Sequence, residues 1–215
     1  MGKNQGNCGK NFKIMIKTVI SDMGNVVLKF DHMIACNNFA KYADNFEPSE
    51  IYNFVNKSDI DYSFDTGKIS SEKFFEIVSS HLKLKLNFED FKRIFADIFS
   101  LNTTFAGILR EFKKKYKLIL LSNTNIIHFE FARKKFDIMD IFDDFVLSYE
   151  LGTRKPEPEI YRRALKISGS EPNECVYIDD IKEFSDTATT LGITEIHYKS
   201  DEYLKNRLTE LNLFR

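Results

Sequence analysis

The stretch KTVISDMGNVVLKFD, Lys17 to Asp31, decides how the rest of the chain is read. Thr18-Val19-Ile20 is a β-branched run without polar alternation, as expected of a strand buried on both faces. It ends at a lone carboxylate, Asp22, with Gly24 two residues on and a second apolar run at Val26-Val27-Leu28. Two readings of Asp22 stand side by side. It is either a turn acid closing the strand, or a carboxylate presented for chemistry at a strand end.

From about His32 to Ser100 the rhythm changes. Phe74, Ile77, Val78 and Leu82 recur at helical spacing, and Ser70 and Ser71 stand where N-caps would, after the turn Asp65-Thr66-Gly67. Phe91, Ile94, Phe95 and Ile98 repeat the pattern across Asn87 to Phe99, so the segment reads as a small helical bundle. From Leu101 helices and strands alternate. Strands are expected at Leu118–Leu121, Phe145–Leu147, Cys175–Ile178 and Glu195–Tyr198. Helices are expected near Thr104–Tyr116, Ile127–Phe136, Glu157–Ser168, Glu183–Leu191 and Asp201–Leu211. Pro158 and Gly169 supply start and stop signals for the third of these. The expected class is α/β: a Rossmann-like parallel sheet from residues 14–31 and 101–215, interrupted by a helical insertion over 32–100.

The whole chain narrows the functions. Its 215 residues, 43% hydrophobic and 29% charged, suit a soluble globular protein, and a net charge of -1 offers no field for nucleic acid or an anionic membrane. Cys8, Cys36 and Cys175 are odd in number and widely spaced, which argues against a disulfide framework and for a reducing compartment. The polar start, residues 1–13, lacks the apolar region of a signal peptide, and Gly6 stands where a myristoylation signal wants Ser or Thr. A flexible leader on a cytoplasmic protein is the expectation. The sequence carries no signal for an oligomeric state.

Three strands end in polar residues: Asp22 after the first, Ser122-Asn123-Thr124-Asn125 after the second, and Asp179-Asp180 after the fourth. Lys155 follows the third, in GTRKPEPEIY. In an open parallel sheet such ends face one crevice. Three carboxylates crowded there raise each other's pKa unless a cation compensates, and Mg²⁺ with oxygen ligands suits that task. A serine hydroxyl and backbone N–H groups could hold phosphoryl oxygens while one carboxylate attacks phosphorus. Taken singly, each residue reads more simply as a cap, a loop hydroxyl or a solvated charge; the ordered set is what points to chemistry.

That set resembles the haloacid dehalogenase superfamily. Its four motifs look like ISDMGNVV, LLSNTN, the Lys155 segment GTRKPEPEIY and VYIDD, and the helical insertion sits where the family carries a cap. The resemblance runs from Ile14 onward and is nearest to a sugar-phosphate phosphatase branch. It implies Asp22 as nucleophile and metal ligand, Ser122 and Asn123 as phosphate binders, and Lys155 as the neutralising cation. It further implies a magnesium site at Asp22, the Gly24 carbonyl and Asp180, supported by Asp179. The implied function is Mg²⁺-dependent hydrolysis of a small phosphorylated metabolite, such as a sugar phosphate, through an aspartyl-phosphate.

Three departures accompany the resemblance. Gly24 stands where most such phosphatases have an acid two residues after the nucleophile; Asp31, His32, Asp61 and Asp65 are the candidate substitutes. Ser21 replaces an aromatic and Phe184 an Asn common in relatives. Three other functions compete: a metal-independent dehalogenase, a phosphate-binding relative with little turnover, and a receiver-type signalling module.

Overall fold

A computed structural model describes residues 15–213; the expected leader, 1–13, lies outside them. The strands are β1 (Thr18–Ser21), β2 (Leu28–Phe30), β3 (Phe99–Leu101), β4 (Lys117–Ser122), β5 (Asp144–Leu147), β6 (Cys175–Asp179) and β7 (Thr194–His197). Between β2 and β3 lie α1 (His32–Phe39), α2 (Pro48–Asn56), α3 (Asp59–Asp65), α4 (Ser71–Leu82) and α5 (Phe88–Ala96). After β3 come α6 (Thr103–Lys113), α7 (Ile126–Lys135), α8 (Ser148–Leu151), α9 (Pro158–Ser168), α10 (Lys182–Thr190) and α11 (Asp201–Glu210).

Five strands form one sheet in the order β5-β4-β1-β6-β7, and every neighbouring pair is parallel. The apolar runs are continuous because both faces are covered. Successive side chains of a strand point to opposite faces. Accordingly Val19, Leu118, Leu120, Val176 and Ile178 pack on the face that holds Phe105 and Phe112 of α6 and Leu204 of α11. Ile20, Ile119, Leu121 and Tyr177 pack on the other face, against Ile160 and Ala164 of α9 and Ala188 of α10. Central β1 is buried at every residue. No described helix is long and apolar enough to cross a membrane.

The helices α1–α5 bury aromatic rings against one another: Phe39 stacks on Phe91 at 5.0 Å and Phe64 on Phe74 at 4.2 Å. Ser70 caps α4 by accepting from Lys73 N, as its position in the sequence predicts. The helical reading of Asn87 to Phe99 runs too far. The helix ends at Ala96, and Phe99 pairs with Phe30 in an antiparallel β2–β3 ribbon. Ile98 misled the periodicity because a buried apolar position on an incoming strand is spaced like another helical turn. The ribbon joins the sheet to α1–α5 on both the outward and the return crossing.

Val26 and Val27, part of the second apolar run, lie in a tight turn that leads into β2. Val27 N and Leu28 N both donate to Met23 O, and Asn25 sits in the left-handed region at φ 53° with its N–H bonded to Leu28 O. Asn tolerates that conformation through local hydrogen bonding.

Gly67 brings the helical insertion down onto α8. It has φ +66°, and a Cβ there would lie 2.2 Å from the Tyr149 carbonyl oxygen. Both the left-handed backbone and that contact demand glycine. Gly67→Ala is expected to cost at least about 1–2 kcal/mol, read as a lower urea midpoint at unchanged m-value. A midpoint equal to wild type means the two parts do not touch at this point.

Candidate active site

Because β1, β4 and β6 run parallel, their C-terminal ends emerge at one edge, where Asp22, Ser122 and Asp179 stand. β1 is flanked by strands whose connections run in opposite directions across the sheet, so a crevice opens beside it. That crevice is a cavity of about 500 Å³, closed on the far side by residues of α2 and α3, including Tyr52, Asn56, Asp61 and Asp65.

Lys155 organises the cavity floor. Its buried Nζ donates to Asp22 Oδ1 at 2.6 Å and Asp179 Oδ2 at 2.7 Å, and it lies 3.3 Å from Leu121 O. The lysine sits in a loop, yet it is held as firmly as a strand residue. The Asn123 side chain accepts from Lys155 N at 2.8 Å and donates to Lys155 O at 2.9 Å. The Phe184 ring lies 5.1 Å from the ammonium, so the departure at that position supplies a cation–π face. Ser21, the other departure, is buried and donates to Asp22 O at 2.8 Å.

The carboxylates divide into two kinds. Asp179 is wholly buried with both oxygens engaged: Oδ2 by Lys155 and the Tyr177 hydroxyl, Oδ1 by Ile181 N at 2.8 Å. Asp180 is more open and accepts from Asn25 Nδ2 at 3.2 Å. Oxygens of Asp22, Asp179 and Asp180 all lie within 4.8 Å of one another. Burial pushes Asp22 up to about 7, with Asp179 and Asp180 adding to the rise and Lys155 opposing it. Asp180 is raised as well, by burial and then by Asp179. Burial pulls Lys155 down, but the charges of Asp179 and Asp22 outweigh it and hold the amine above its ordinary value. Three carboxylates against one ammonium leave an excess of two negative charges, the complement of one divalent cation. An all-oxygen donor set fits a hard ion such as Mg²⁺.

The remaining expected residues fall at the same edge. Ser122 is buried at the end of β4 with its Oγ only 3.4 Å from Asn123 O, a long contact that leaves the hydroxyl free to turn. Ser148 pins the loop that follows by accepting from Thr124 N and donating to Thr124 O, each at 2.9 Å. Gly24 lines the cavity, and a Cβ there would come within 2.7 Å of the Phe30 ring. The space beside the loop after Asp22 where another side chain would lie is therefore filled by Phe30.

The four candidate substitutes for an acid separate cleanly. Asp31 caps α1 through Met33 N at 2.8 Å. His32 lines the cavity, and burial lowers its pKa. Asp61 faces Arg154 at 3.6 Å; burial nonetheless raises it to about 6 against that charge. Asp65 accepts from Asn125 Nδ2 at 3.1 Å, and burial followed by the Asp61 charge pushes it up to about 7.

Tyr177, Ser148, Arg154 and the Asn125–His128 pair have no role in the sequence reading. Tyr177 was within reach of it, because a residue two before Asp179 on a strand shares its face. Asn125 carries the local signature of an N-cap, accepting from His128 N at the start of α7. The contacts of Ser148 and Arg154, and those from the pair to Asp65 and Phe95, are long-range.

A model of the haloacid dehalogenase-like hydrolases matches residues 16–183. The chain belongs to that family, and it is an enzyme of the hydrolase class. A D-ribitol-5-phosphate phosphatase of Bacteroides thetaiotaomicron is 29% identical over 175 residues, covering 77% of this chain and 84% of that protein. A haloacid dehalogenase family enzyme of the same organism, solved with magnesium and inorganic phosphate, superposes with a TM-score of 0.75 at 27% identity over 86% of this chain and 94% of its own. A haloacid dehalogenase-like hydrolase of Porphyromonas gingivalis reaches a TM-score of 0.78 at 21% identity, over 94% and 100% of the two chains, and shares the fold.

Removing the ammonium leaves the buried acids of this family member uncompensated. Lys155→Met is expected to lower unfolding stability by about 3–5 kcal/mol in metal-free buffer, measured by urea denaturation. A loss below about 1 kcal/mol means the ion pairs carry no such load.

Proposed function

We propose that the chain is a magnesium-dependent phosphomonoester hydrolase acting on a small phosphorylated metabolite, with Asp22 as nucleophile. The observation that carries the reading is the bridge of Lys155 between Asp22 and Asp179, beside carboxylates whose charge excess matches one divalent ion. Asp22, the Gly24 carbonyl and Asp180 would hold Mg²⁺, while Asp179 serves chiefly to orient Lys155, since its oxygens already meet protein donors. Bound there, the ion supplies Lewis-acid polarisation of a phosphoryl oxygen.

The chain's own groups account for the rest. Lys155 keeps an Asp22 oxygen aimed at the cavity and neutralises charge between it and the incoming phosphoryl group. The Ser122 hydroxyl and Asn123 N–H take phosphoryl oxygens. Asp22 then attacks phosphorus to give an aspartyl-phosphate, which water cleaves. A cavity of about 500 Å³ suits a small molecule. Its wall of Tyr52, Asn56, Asp61 and Arg154 offers hydrogen-bond partners for several hydroxyls. A sugar or polyol phosphate fits that wall, in keeping with the ribitol phosphate of the relative and the magnesium and phosphate of the structural neighbour. Metal-independent dehalogenation at Asp22 would leave the half-open Asp180 without a task.

The test is a hydrolysis screen over sugar and polyol phosphates and an aryl phosphate, with and without Mg²⁺. Chelation is expected to abolish turnover, and Asp22→Asn to lower it by roughly 10³-fold or more. Asp180→Ala is expected to raise the Mg²⁺ concentration for half-maximal rate by more than about tenfold. Undiminished turnover in Asp22→Asn rules out the nucleophile, and phosphate binding without turnover supports a binding-only role.

A further inference from the structure

We propose that Asp65, contributed by α3 of the helical insertion, is the acid that protonates the leaving oxygen and the base that then activates water. The inference rests on the phosphatase reading above and supplies the proton transfer that no side chain at Gly24 can perform. An alkoxide leaving group needs a proton as it departs, and such catalysis is worth about 10²–10⁴-fold.

Among the carboxylates around the cavity, geometry favours Asp65. Asp22 and Asp180 belong to the metal cluster, Asp61 pairs with Arg154, and Asp31 caps a helix. Glu183 stands exposed at the rim in the first turn of α10. His128 is buried with both ring nitrogens engaged, and burial drives its pKa down to about 3. Asp65 is half-buried and lines the cavity, and among the described residues it has no lysine or arginine within ion-pair distance.

Its orientation is set by a chain of contacts. His128 Nε2 faces Phe95 O at 3.1 Å, and that carbonyl can only accept, so Nε2 carries the proton and Nδ1 is bare. Bare Nδ1 accepts from Asn125 Nδ2 at 3.2 Å, while Asn125 Oδ1 accepts from His128 N at 3.0 Å. The amide is thereby fixed, and its second N–H points to Asp65 Oδ1 at 3.1 Å. One carboxyl oxygen is anchored three residues beyond Ser122, and the other is left to carry a proton. Burial and the neighbouring Asp61 favour the protonated form near neutrality.

The steps balance. As an Asp22 oxygen bonds to phosphorus and the bond to the leaving group breaks, the Asp65 proton passes to the departing oxygen. Asp65, now ionised, takes a proton from water as the water oxygen attacks phosphorus. The bond to Asp22 breaks with its electron pair returning to the carboxylate, and inorganic phosphate leaves.

Asp65→Asn keeps an acceptor for Asn125 and removes the proton, so it tests chemistry rather than packing. The measurement is kcat/KM with Mg²⁺ across 4-nitrophenyl, phenyl and benzyl phosphate, with circular dichroism to check the fold. Asp65→Asn is expected to slow 4-nitrophenyl phosphate less than about tenfold and benzyl phosphate about 10²–10⁴-fold. An equal loss on all three esters, or no loss, overturns the assignment while leaving Asp22 untouched. Wild-type turnover that survives Asp22→Asn, or a wild type inert toward the whole series, overturns the phosphatase reading first and this role with it.

Discussion

One buried ammonium holds the carboxylate-bearing edge of the sheet together. Lys155 reaches from a loop to two carboxylates on the ends of two neighbouring strands. Without it, Asp22 and Asp179 would be like charges packed into a low-dielectric floor, a situation that proteins relieve by protonation or unfolding. A buried ion pair is a poor source of net stability. What the bridge does here is oppose the rise that burial imposes on Asp22 and fix the direction of its carboxylate. The same bridge explains the Asn123 clamp: a point charge on a flexible stem is useful only if its backbone is fixed.

The electrostatics are deliberately incomplete. Lys155 answers one unit of a three-carboxylate charge, and burial, with the neighbouring acids adding to it, keeps Asp22 and Asp180 above the ordinary carboxylate range. The excess left over is the charge complement of one hard divalent ion. The helical insertion adds a mixed wall, Tyr52 and Asn56 beside the acids Asp61 and Asp65, with Asp61 facing Arg154 of the loop before α9.

Much of this was legible because the signals were local. An apolar run that stops at a polar residue marks both a buried strand and its end, so Asp22, Ser122 and Asp179 could be placed at one edge from the sequence alone. Lys155 was harder, since a loop residue takes its position from tertiary contacts; the family resemblance, more than the pattern, singled it out. The β2–β3 ribbon went unseen because strands of three residues carry no periodicity. Asp65 was one of four candidates in the sequence. Only the Asn125–His128 contacts, spanning 60 and 33 positions of chain to Asp65 and Phe95, separate it from the rest.

Phe30 ties these parts together in a further way. Its ring belongs to the β2–β3 ribbon, packs edge-on to Phe99 and His32, and also covers the Gly24 backbone beside Asp22. A displacement of the ribbon would carry that ring across the turn that follows Asp22. The single ring thus couples the geometry of the antiparallel ribbon to the direction in which the Asp22 carboxylate leaves its strand.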